Sequence, residues 1–233
     1  MAEEIVRLVN ITKTYSSGVL EVPVLKGIDS VIYRGQFIGI MGASGSGKST
    51  MLNILGLLDV PTTGQYLLNS QPVENLSDNE LARLRNRAIG FIFQSFNLFP
   101  HLTVEQNIEV PMVYAATPIK ERKKNARRLA ERVGLGHRLD HRPNQLSGGE
   151  CQRIAIARSL CNNPAFLLAD EPTGNLDEQT GAEIIKLFHE LNDGGMTIVM
   201  VTHNPAMEAH FDNVIWLRDG RLCERAGVIF GGD

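Results

Sequence analysis

Residues Gly42-Ala43-Ser44-Gly45-Ser46-Gly47-Lys48-Ser49-Thr50 place glycines, hydroxyls and one lysine in the spacing G-x-x-x-x-G-K-[ST]. Glycines so spaced let the backbone fold into a nest whose N–H groups converge on a polyphosphate. Lys48 adds a point charge near the β- and γ-phosphates, and Ser49 offers a hydroxyl to Mg²⁺. A chance glycine-rich turn is the alternative. Against it, an apolar stretch over 37–41 precedes the loop and a helix-like run over 49–58 follows it. Phosphate binding needs that strand–loop–helix setting, because the positive N-terminal end of the helix faces the same anion.

Two further groups carry chemistry. Phe166-Leu167-Leu168-Ala169-Asp170-Glu171 reads as a buried strand with two acids emerging at its end. There Asp170 can reach Mg²⁺ or its water shell, and Glu171 can polarise an attacking water. In an ordinary loop the same pair would be merely solvated. Leu146-Ser147-Gly148-Gly149-Glu150, taken alone, is a linker fragment. It leads straight into 152–160, whose apolar positions fit a helix, so Ser147 reads as an N-cap and Gly148 and Gly149 leave the first amides bare for an anion.

The elements that position these groups follow from periodicity and punctuation. Short strands are expected over 4–9 and 19–33, then over 37–41, 64–68, 89–93, 165–169 and 197–201. Ser77 with Glu80, and Thr103 with Gln106, form capping boxes that open helices to about residues 87 and 115. Pro118 suits the first position of a helix extending to 134; further helices are expected over 147–161 and 178–192. Asp219-Gly220 is a hairpin signal between strands at 213–217 and 221–224.

Composition narrows the class. A chain of 233 residues, 43% hydrophobic and 21% charged, can bury a substantial core. A net charge of −3 gives no overall attraction to nucleic acid or anionic lipid. The basic run 120–128 reads as a solvated helix face without interleaved aromatics. Cys151, Cys161 and Cys223 lack metal-ligand spacing and are expected as reduced thiols in a cytosolic protein. No apolar run approaches a bilayer span, and Glu3, Glu4 and Arg7 stand where a signal peptide would be apolar.

In order and spacing, the phosphate loop at 42–50, the Leu-Ser-Gly-Gly-Glu stretch at 146–150 and the acid pair at 170–171 resemble the ATP-binding cassette (ABC) ATPases, and the resemblance covers essentially the whole chain. It implies an α/β fold: a P-loop NTPase (RecA-like) core with an antiparallel β subdomain, from 1–94 and 164–233, and an inserted α-helical signature subdomain at 95–163. It also implies residue roles. Tyr15 stacks on adenine, Gln94 contacts Mg²⁺, Glu171 is the general base, and His203 reads the γ-phosphate. Asp177, in Asn175-Leu176-Asp177, lies at a dimer interface, and Ser147, Gly148, Gly149 and Glu150 close on ATP held by a second copy.

The implied assembly is a head-to-tail homodimer around two ATP, with Mg²⁺, driving an integral membrane permease from the cytoplasmic face of the inner membrane. Phe96, Leu98, Phe99 and Leu102 are expected beside the groove that receives the permease, unless they are simply buried. The segments 93–98, 105–107 and 169–177 are similar to the lipoprotein-releasing and macrolide or peptide export ATPases, the LolD/MacB-like branch. No nucleic-acid partner is expected. A soluble or regulatory cassette ATPase, of cell-division or nucleic-acid-associated type, is the competing reading. Two positions depart from the pattern: Glu150 where glutamine is commoner, bringing a negative charge near an anionic ligand unless it points away, and Cys151 where a polar or basic residue is usual.

Overall fold

The computed structural model describes residues 3–18 and 20–223. The chain forms two compact units: one runs to Leu81 and resumes at Thr197, and the other spans Ala82 to Met196. Each is described by itself.

In the first unit, β1 (Glu4–Ser17) pairs antiparallel with β2 (Leu20–Tyr33) and with β4 (Thr63–Leu68), which in turn pairs with β5 (Gln71–Pro72). Ile5, Val6, Leu8 and Ile11 of β1 are buried. The sequence pattern breaks at Asn10, where φ is 48°, and this is a bulge rather than a strand end. The extra residue turns the strand and lets pairing resume through Ser17, which is why β1 outruns the expected 4–9.

The same unit holds β3 (Phe37–Met41) between parallel neighbours β8 (Thr197–Val201) and β9 (Asn213–Arg218), with β10 (Arg221–Cys223) antiparallel to β9. Every residue of β3 and β8 is buried, as continuous apolar runs in parallel sheets require. Asp219 (φ 51°) and Gly220 (φ 79°) make the two-residue turn between β9 and β10. The last residue of the strand expected at 221–224 lies outside the described residues. Helix α1 (Lys48–Leu55) follows β3 and stops at Gly56, because Leu57 turns to φ 54°; the run expected to continue to 58 is broken there.

Helix α2 (Asp78–Ala88) crosses from the first unit into the second. The second unit pairs β6 (Ile89–Phe93) in parallel with β7 (Phe166–Asp170) and carries α3 (Val104–Tyr114), α4 (Ile119–Arg132), α5 (Gly148–Ser159) and α6 (Glu178–Asp193). The Thr103–Gln106 box forms as expected. Pro118 sits at the N-cap of α4, one residue earlier than expected, where its extended ψ of 142° leads the chain into the helix. Part of the basic run in α4 is used for packing. Arg122 pairs with the buried Glu109 of α3 at 3.2 Å, and Arg127 pairs with Glu105 at 2.6 Å. Among the described residues no helix is long and apolar enough to cross a membrane.

A fully buried side chain, Asn107, shapes the loop before α3. Its amide faces the carbonyls of Phe99, Leu102 and Thr103 at 3.2, 3.1 and 3.0 Å, and its Oδ1 accepts from Phe99 N–H at 2.8 Å. The Phe99 and Thr103 carbonyls keep backbone N–H partners, so Asn107→Ala takes the side-chain partner from two part-buried groups, Phe99 N–H and the Leu102 carbonyl, each worth about 1–3 kcal/mol. Urea unfolding is therefore expected to show a loss of about 2–4 kcal/mol.

Candidate functional site

The first unit presents the phosphate loop at the C-terminal edge of β3. Ile40 of β3 stands opposite Val201 of β8 in parallel register, and Thr202 N–H donates to the Ile40 carbonyl at 3.2 Å. The loop and His203 therefore leave adjacent strands at the same edge, where open α/β sheets bind ligands. His203 is exposed there, just before the short helical turn Pro205–His210 that Asn204 caps.

The loop is tightly built. A side chain at Gly42 (φ 153°) would collide with the Leu217 carbonyl, and Gly47 (φ 105°) caps α1 in a left-handed conformation with Leu25 against it. Gly220 N–H donates to the Ser46 carbonyl at 3.1 Å, tying the β9–β10 turn to the loop. Ala43, Ser44, Gly45 and Ser49 face solvent, Thr50 is half-buried, and nothing stands where a side chain at Gly45 would project. Lys48 Nζ donates to the Gly42 and Ala43 carbonyls at 2.9 and 2.8 Å, while Ser46 Oγ is buried with no partner among the described residues. An exposed glycine-rich loop, a lysine folded back on its carbonyls and a buried hydroxyl with no partner among the described residues suit a polyphosphate.

Tyr15, near the end of β1, is 40% exposed, so one part of its ring is open. Its hydroxyl donates to Asp59 Oδ2 at 2.8 Å, and Lys13 Nζ lies 4.9 Å from its ring centroid while donating to Asp59 Oδ1 at 2.6 Å. Burial works against ionisation of Asp59, but the hydrogen bonds from Lys13 and Tyr15 prevail and hold its carboxyl below the usual range. Asp59 was not legible as a site residue, since its partners lie 44 and 46 residues away.

The second unit holds the acid strand. Phe93 of β6 stands opposite Asp170 of β7, so Gln94 and Glu171 are the first residues beyond the ends of adjacent parallel strands. Glu171 takes φ 44°, and Gly174 N–H closes the turn on its carbonyl at 3.0 Å. Gln94 and Asn175 exchange bonds: Gln94 Nε2 donates to Asn175 Oδ1 at 3.2 Å, and Asn175 Nδ2 to the Gln94 carbonyl at 3.0 Å. Asp177 is the N-cap of α6, accepting from Thr180 N–H at 3.0 Å; the Thr180 bonds hold its carboxyl below the usual range. Phe99 is exposed and Phe96, Leu98 and Leu102 are half-buried; none of the four is fully buried.

Helix α5 starts at the signature stretch. Ser147 Oγ accepts from Glu150 N–H at 3.2 Å, and Glu150 Oε2 accepts from Ser147 N–H at 2.9 Å, completing a capping box. Glu150 therefore turns back on its own helix, and Arg138 Nε lies 3.4 Å from its other oxygen. The Ser147 N–H bond, with Arg138 nearby, keeps this carboxyl ionised to lower pH than usual. Gly148 and Gly149 occupy the first two helical positions, whose amides no carbonyl of the helix can accept. Gly149 is also needed for packing, since a side chain there would collide with Thr180 of α6.

Because glutamine completes the same box, Glu150→Gln is expected to leave stability at pH 7 nearly unchanged, whereas Glu150→Ala is expected to cost about 1 kcal/mol. The folded carboxyl titrates below its unfolded value, so the small part of this contribution that its charge supplies, and that glutamine lacks, is present above about pH 4.3 and lost as pH falls through the folded value. Thermal unfolding of both variants from pH 7 to pH 3 checks the size and the sign.

Comparison with known proteins gives the family. The sequence model of the ABC transporter family matches residues 25–174. An uncharacterized ABC transporter ATP-binding protein of Thermotoga maritima is 52% identical over 231 residues, 98% of this chain and 99% of that protein. The macrolide export ATP-binding/permease protein MacB of Brucella abortus is 50% identical over 218 residues, 94% of this chain but 34% of its own, so the chain spans about a third of that relative. A solved ATP-binding cassette, dimeric and in a post-hydrolysis state bound to ADP and Pi, is 45% identical with a TM-score of 0.84, covering 95% of this chain and 97% of the other. The chain belongs to the ABC transporter family, as one of its ATP-binding and ATP-hydrolysing cassettes.

Proposed function

We propose that this cassette pairs head to tail with a second copy around two ATP and drives a membrane permease of the export or lipoprotein-release type, from the cytoplasmic face of the inner membrane. The observation that carries this reading is the start of α5: two glycine amides presented by a satisfied cap, with no acceptor in their own helix. An anion supplied by another molecule fits that helix end. The dimeric cassette and the MacB relatives support the assembly.

ATP rests on the loop 42–50, with Lys48 moving from the carbonyls of Gly42 and Ala43 to the phosphates and Tyr15 offering its exposed ring to the base. Glu171 accepts the proton of the attacking water as the oxygen bonds to the γ-phosphorus and the bond to the β-phosphate oxygen breaks. His203 orients toward the γ-phosphate, and Gln94 leaves Asn175 to position the water. Ser49, Gln94 and Asp170 offer hydroxyl, amide and carboxylate oxygens, hard donors suited to Mg²⁺, which would neutralise phosphate charge when bound. Ser147, Gly148 and Gly149, with Glu150 held aside by its cap, close the nucleotide of the opposing copy, and Asp177 lies at that interface.

Cleavage then removes the anion that the opposing helix end was holding. A swing from 1:99 to 99:1 needs about 5.5 kcal/mol of differential binding. One helix terminus supplies up to ~2 kcal/mol, so two sites with their amides, serines and lysines reach that total. Phe96, Leu98, Phe99 and Leu102, none fully buried, leave apolar surface for a permease segment.

Lys48→Ala is expected to weaken ATP binding by tenfold or more, from the loss of about 1.5–3 kcal/mol of charge-assisted bonding, as read by calorimetry. Glu171→Gln is expected to bind ATP normally, hydrolyse it at least about a hundredfold more slowly, and accumulate as a dimer in size-exclusion chromatography with Mg-ATP. A Glu171→Gln chain that stays monomeric at saturating Mg-ATP would overturn the paired arrangement.

A further inference from the structure

Gln152 lies in the second turn of α5 and is completely buried, an unusual place for an amide. Its Nε2 donates to the Pro172 carbonyl at 2.7 Å, and its Oε1 has no partner among the described residues. An apolar helix former of the same length would fill the space without burying a half-paired amide, so packing alone does not account for glutamine here.

The carbonyl it holds belongs to the residue after Glu171. Glu171 has φ 44°, a left-handed conformation that a side chain disfavours, and it precedes a proline, which further restricts it. A backbone bent this way persists only if its surroundings determine it. Among the bonds that do so are Gly174 N–H on the Glu171 carbonyl at 3.0 Å and Gln152 on the Pro172 carbonyl. The first is internal to the turn. The second comes from the helix that begins at Ser147.

We propose that Gln152 is a positioning residue for ATP hydrolysis: its amide fixes the Glu171–Pro172 backbone, so that the carboxylate's aim depends on the place of α5. The inference rests on Glu171 acting as the base. In the paired assembly, a shift of α5 as it engages the opposing nucleotide is carried through this amide to the base of its own subunit.

The test uses the full chain with Mg-ATP. Gln152→Met keeps length and helix propensity but removes the donor. Misaiming the base is expected to lower kcat on the order of tenfold or more, with KM for ATP and the affinity for a fluorescent ATP analogue within about twofold of the parent. In a Glu171→Gln background the same substitution is expected to have no further effect, because no base remains to be aimed. An unchanged kcat, or an equal fall in both backgrounds, overturns the proposal. Full turnover by Glu171→Gln alone instead removes the base reading beneath it.

Should Gln152→Met fail to fold, Gln152→Leu takes its place, and side-chain amide exchange by NMR on the unsubstituted chain remains decisive. Protected Gln152 Nε2 protons are expected; exchange as fast as in an exposed glutamine overturns the contact.

Discussion

The opening amides of a helix cannot be satisfied by the helix itself, and this constraint organises the chemistry of the chain. Both α1 and α5 begin at glycines, Gly47 and Gly148-Gly149, and their opening amides have no acceptor in their own helix. In α1 the left-handed Gly47 makes the entry, and Lys48 bends back over the loop. In α5 the serine cap takes the amide of the third helical residue and leaves the two glycine amides free of intrahelical partners. Glutamate in the capping box completes this arrangement without spending those amides. Its charge favours the helix end when no other anion is present, and Arg138 stands beside it.

The local parts of this design were readable from the sequence. Capping boxes at Ser77 and Thr103, the N-cap at Ser147, the Asp219-Gly220 turn and the buried runs 37–41, 166–169 and 197–201 are each encoded within a few residues. What escaped was long-range. The strand β1 read as ending at 9 because a bulge looks like a terminus when its partners are unknown. Asp59 and Gln152 follow no periodicity that announces them: each places a polar group on a side chain or backbone distant in the sequence, while Asn107 bonds the loop just before its own helix. The fate of Glu150 was open in the sequence because its spacing from Ser147 permits a cap without requiring one.

Three of the left-handed residues in the second unit show why the contacts made by α5 sit where they do. Phe96, Asn97 and Glu171 have φ values of 59°, 49° and 44°. Glycine would adopt them at little cost, yet glycine at 171 would remove the carboxylate. Holding such conformations costs of order 1–3 kcal/mol each unless neighbours enforce them. The same helix supports them all. Near its C-terminus Arg158 donates to the Phe96 and Asn97 carbonyls at 2.8 and 2.6 Å, even though burial works against its charge.

At the other end of α5, Gln152 holds the carbonyl that follows Glu171. One rigid helix thus supports the bent backbone after Gln94 and the bent backbone at the acid, and its first turn presents the amides for an anion. A helix moves as a body, so a displacement at its first turn reaches both segments without any chain of intermediate contacts. If α5 moves as proposed, strain that would be a liability in a static loop becomes a means of response. A left-handed non-glycine residue relaxes when its support withdraws, and its side chain swings with it.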